Sequence, residues 1–92
     1  MSTQISGQVT VVTAGTAVQF PSTPGGTFLI SAVPSDTGYM YVGNDGNDDV
    51  SSTTGHVLQA GQSMLVEVSN LNLLWVDSSV NGEKVSWIRV DV

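Results

Sequence analysis

The chain has a single histidine, His56, and no cysteine, so acid–base, nucleophilic or metal chemistry has few groups to draw on. A metal site would need His56 to combine with carboxylates, and a hydrolase triad would need it beside an activated serine and an acid. No serine lies in a Gly-x-Ser-x-Gly elbow. His56 therefore reads as a loop residue with no catalytic role. The carboxylates cluster in the turn Gly43-Asn44-Asp45-Gly46-Asn47-Asp48-Asp49, where Asp45, Asn47 and Asp49 have the first three ligand spacings of a calcium loop. The pattern then departs from that loop. Val50 stands where a sharp-turn glycine belongs and His56 where a bidentate glutamate belongs, so the segment reads as a solvated turn. Asp48 and Asp49, the nearest pair for carboxylate catalysis, are adjacent, and adjacent side chains on extended backbone point apart. Trp75, Trp87, Tyr39 and Tyr41 could stack on sugar rings, but in a small domain large aromatics sit in the core or at a subunit interface. The expectation is no catalytic residue, no metal site and no cofactor.

Composition narrows the partners. Two basic residues, Lys84 and Arg89, against eight acidic ones give a net charge of −6, which excludes ordinary nucleic-acid binding and docking on an anionic membrane. The start, Met1-Ser2-Thr3-Gln4, lacks a basic region and an apolar run, so no secretory signal is expected, and no stretch has the length of a membrane span. With 40% hydrophobic and 11% charged residues the chain is too apolar for intrinsic disorder. Ser, Thr, Asn and Gln stand where a small domain normally carries charges, which suggests a face built to dock on something. Ninety-two residues make one domain, 1–92.

The elements that must position these groups are strands. Val, Ile and Thr fill more than a quarter of the positions, no window shows a sustained helical apolar face, and glycine or proline punctuates the chain at short intervals. Strands are expected over residues 5–12, 16–20, 27–33, 39–43, 56–58, 63–69, 71–76 and 85–92. Pro21, Pro24 and Gly25-Gly26 read as a turn, and Pro34 to Gly38 as the link to a hairpin partner beginning at Tyr39. In the 27–33 strand Phe28, Ile30 and Ala32 share one face while Leu29 and Val33 lie on the other, which marks it as central. Met64, Val66 and Val68 alternate with Leu65, Glu67 and Ser69. In the last strand Val85 and Trp87 are out of phase with Ile88, Val90 and Val92, and a β-bulge near Trp87 or Ile88 would reconcile them. Seven or eight short strands fit an all-β sandwich or jelly-roll-like barrel.

The succession Asp36-Thr37-Gly38, Tyr41-Val42-Gly43, Thr54-Gly55, Leu58, Ala60-Gly61, Asn70-Leu71, Leu74-Trp75-Val76 and Asn81-Gly82-Glu83 resembles small virion proteins of tailed bacteriophages. Those proteins are compact β-sandwiches bound to the outside of the head. The likeness lies in order and spacing over roughly the last two thirds of the chain, and it carries no residue function. It implies a non-enzymatic capsid decoration or cement protein on the capsid exterior, a homo-oligomer and most often a trimer, that bridges major capsid protein subunits. A tail or fibre component, a carbohydrate-binding module and a small hydrolase are the competing readings.

Overall fold

The computed structural model describes residues 5–45, 50–51 and 53–91. Among these residues eight strands form: β1 (Ser6–Val11), β2 (Val18–Gln19), β3 (Pro24–Ala32), β4 (Met40–Gly43), β5 (His56–Leu58), β6 (Ser63–Asn70), β7 (Trp75–Ser78) and β8 (Glu83–Arg89). They make two antiparallel sheets, sheet A in the order β1-β8-β3-β6 and sheet B in the order β2-β7-β4-β5. First pairs with last, second with seventh, third with sixth and fourth with fifth. That is the order of a jelly roll, an eight-stranded ribbon wound over itself. The all-β sandwich expected from the residues is therefore the fold.

Alternation explains the core. Phe28, Ile30 and Ala32 of β3 and Val85 and Trp87 of β8 point inward from sheet A, meeting Met40, Val42 and Val76 of sheet B. Phe28 and Trp87 meet edge to face, with ring centroids 6.0 Å apart at 72°. Each fully buried large side chain of this kind contributes about 1.5–3 kcal/mol. β3 is central, as its two apolar faces imply. Met64, Val66 and Val68 do face the core, but β6 is an edge strand, so they are only half-buried.

Four local expectations are corrected. Pro24, Gly25 and Gly26 belong to β3 and not to a turn. Proline is tolerated as the first residue of a strand, and Gly25 is needed because a Cβ there would sit 2.4 Å from the Ser69 carbonyl oxygen across the ladder. Residues 34–38 do not join hairpin partners, since β3 and β4 lie in different sheets and the segment crosses between them. The expected 71–76 strand is a 3₁₀ turn at Leu71–Leu73 followed by β7, because the Asn70 side chain caps it, accepting from the Asn72 and Thr23 N–H groups at 3.0 Å each. Finally, β8 has no bulge. Its register with β1 and with β3 is unbroken from Glu83 to Arg89, so Ile88 and Val90 point to solvent.

Candidate functional site

The residues with chemical potential are scattered. His56 opens β5 and is exposed. Asp45 is half-buried, and Asn47, Asp48 and Asp49 lie outside the described residues. Trp87 is in the core, Trp75 is half-buried on the outer side of sheet B, Tyr41 is buried and Tyr39 is exposed. Among the described residues no group of three or more His, Cys, Asp or Glu side chains could hold a metal ion.

The structure does bring together two carboxylates that sequence reasoning did not pair, Asp36 and Glu83, both buried. Glu83 opens β8, and its Oε1 accepts from the Thr37 N–H at 2.5 Å, the Gly38 N–H at 2.8 Å and the Thr37 hydroxyl at 3.0 Å. In return Asp36 Oδ1 accepts from the Lys84 N–H at 3.0 Å. The two acids thus clamp the crossover between the sheets onto the start of β8. Asp36 Oδ2 is buried and meets no donor. Burial pushes the Asp36 carboxyl above its ordinary value, opposed by the Lys84 N–H and reinforced by the charge of Glu83. Burial works in the same direction on Glu83, but the donors of Thr37 and Gly38 outweigh it and hold that carboxyl low. The arrangement sets two carboxyl groups side by side, and its donors come from the loop it ties down and from Lys84. Nothing local in the sequence pairs them: Asp36 lies in the Pro34 to Gly38 link, and Glu83 follows Asn81-Gly82 far along the chain.

The second feature is the outer face of sheet A. Pairing places Ser6, Ile88, Leu29 and Leu65 in one row across all four strands. Gln8, Ser86, Ser31 and Ser63 form the next row, with the Ser31 and Ser63 hydroxyls 2.6 Å apart. A shallow groove of about 350 Å³ runs between the two rows over β1, β8 and β3. The rows themselves carry no charge. Lys84 lies beyond one end, and Glu67 and the Arg89–Asp91 ion pair, at 2.8 Å, lie beyond the other. Ile88 and Leu65 are 41% and 65% exposed, in the part of a sheet where polar side chains are the rule. Their signal in the sequence was the apolar residue out of phase in three separate strands, Leu29, Leu65 and Ile88.

No protein family, curated protein or solved structure matches this chain.

Proposed function

We propose that this protein is a non-enzymatic bacteriophage virion component that decorates the outside of the capsid as a homo-oligomer, docking on the major capsid protein through the outer face of sheet A. The observation that carries the reading is the uncharged pair of rows on that face, apolar in one and hydroxyl- and amide-bearing in the other. Such a surface suits a flat protein partner, where apolar contacts supply affinity and neutral polar groups fit the rim. The net charge of −6 supports an exterior location by repelling packaged DNA. Jelly rolls recur in viral coat domains and in lectins alike, so the fold favours neither role by itself and the weight rests on the face. Repetition strengthens the contact, because several weak contacts on one rigid assembly bind a lattice with matching sites far more tightly than one.

The test is cosedimentation of the purified protein with undecorated capsids at low and high ionic strength. Pelleting should survive high salt, since exposed ion pairs are screened and this face has none. Ile88→Lys and Leu29→Lys should abolish pelleting while leaving the circular dichroism spectrum unchanged. Failure to pellet under any condition would move the protein to the tail or a fibre. A second reading rests on Trp75, half-buried on the outer face of sheet B, which could stack on a sugar ring. Quenching of its fluorescence by a glycan would favour a carbohydrate-binding module instead.

A further inference from the structure

Among the described residues β6 is an open edge of sheet A, and its geometry selects a partner. The odd-numbered residues of β3 bond to β8, as the Val33 N–H to Lys84 carbonyl and Val90 N–H to Thr27 carbonyl bonds show. Ala32 instead exchanges bonds with Gln62 and Gly61, on the β6 side. By antiparallel alternation Ile30 and Phe28 bond to Met64 and Val66, so the backbone N–H and C=O groups of Ser63, Leu65 and Glu67 point away from β3 to the open side. Natural edges are blunted by charges, prolines or bulges, yet from Ser63 to Asn70 this strand carries one charge, Glu67, and no proline. Beneath the edge, Met64, Val66 and Val68 are half-buried at the rim of the core, and above it Leu65 ends the apolar row of the outer face.

We propose that β6 pairs with β6 of a second copy of this chain, antiparallel about a two-fold axis at Leu65, joining two sheets A into one eight-stranded sheet. The register follows from the side chains. With the axis at Glu67, two carboxylates would face each other; with the axis at Val66, each Leu65 would face a carboxylate. With the axis at Leu65, leucine meets leucine, each Glu67 lies opposite a Ser63 hydroxyl, and the apolar row of Ile88, Leu29 and Leu65 continues unbroken into the second copy. The same pairing covers the half-buried rim of Met64 and Val66. An edge of eight residues is about 27 Å long and one sheet layer, about 10 Å, deep. That area is well below the roughly 1,200 Å² of total burial typical of a stable complex, so the dimer is a weak one that forms at high protein concentration or when a lattice holds copies side by side. The contact goes beyond the docking reading and does not depend on it. It gives a dimer, where the resemblance to decoration proteins implies a trimer.

The natural absence of cysteine makes disulfide trapping on the free, full-length protein a clean test. A hydrogen-bonded antiparallel pair has its Cα atoms about 5.5 Å apart, inside the range a disulfide spans, so Leu65→Cys should yield a covalent dimer on mild oxidation. Across the proposed axis one Glu67 lies about 14 Å from the other, too far to bridge. Glu67→Cys alone and Ser63→Cys alone should therefore give only the collisional background, while their mixture should cross-link. These positions face solvent, and circular dichroism checks that each variant is folded. Sedimentation at high concentration should show dimers of the natural chain and monomers of Leu65→Lys. Cross-linking of Glu67→Cys alone as fast as Leu65→Cys, no dimer from Leu65→Cys, or sedimentation as a trimer unaffected by Leu65→Lys would each overturn the proposal.

Discussion

Replacing Asp36 by asparagine should stabilise the protein at neutral pH, against the usual outcome for a buried polar residue. Asparagine keeps the carbonyl oxygen that accepts from Lys84 N–H, and it puts an N–H donor where Asp36 Oδ2 now meets none, beside the Glu83 carboxylate. It also removes one of two neighbouring like charges. A new hydrogen bond to an ionised acceptor is worth roughly 1.5–3 kcal/mol when fully buried, and solvent near this loop screens part of it, so a gain of about 1 kcal/mol is expected. In a domain of this size that raises the melting temperature by roughly 4–8 °C. The pH dependence gives the sharper test. Because the Asp36 pKa is raised in the folded state, the native protein binds more protons there than the unfolded chain, and this group's contribution is complete at acid pH and lost as pH rises through the folded value. Glu83 behaves oppositely: its pKa is lowered, so its contribution is present above the ordinary glutamate value and lost as pH falls through the folded one. The advantage of Asp36→Asn should accordingly vanish at acid pH, where protonated Asp36 already donates to its neighbour, and grow as pH rises toward neutrality. Urea melts of both proteins across pH 3 to 7 measure it. An asparagine variant that is less stable at pH 7, or equally displaced at every pH, would refute this account of the Asp36–Glu83 pair.

Gly25→Ala should cost about 1–3 kcal/mol or more, because its Cβ would press on the backbone oxygens of Ser69 and Val68 at 2.4 and 2.7 Å and only a backbone shift relieves that; urea melts give the value. Val66→Asp should cost at least about 2 kcal/mol, since the carboxylate would enter the half-buried rim of the core, whereas Glu67→Gln, facing solvent, should stay within about 0.5 kcal/mol. Equal melting of those two variants by circular dichroism would mean that the facing of β6 is reversed. Millimolar calcium should leave the melting temperature unchanged, as the glycine and glutamate positions of a calcium loop are filled by Val50 and His56; a micromolar site would add more than about 2.7 kcal/mol.

The amino-acid sequence by itself determined the all-β class, the inward faces of β3 and β6, and the scarcity of charge. These follow from period-two alternation, β-branched content and composition, which act within a few residues or over the whole chain without regard to its path. Tertiary structure alone decided which strands are neighbours. Asp36 and Glu83 became a clamp only because the crossover between the sheets lands on the start of β8, and no local pattern encodes that landing. Leu29, Leu65 and Ile88 each stand out of phase in a different strand, and in one dimension Ile88 is indistinguishable from the mark of a bulge. Only the order β8-β3-β6, with its unbroken register, turns them into one row on the outer face. Among the described residues the same order leaves β6 without a neighbour on one side, because edge position is a property of the closed set of pairings and not of the strand's own residues.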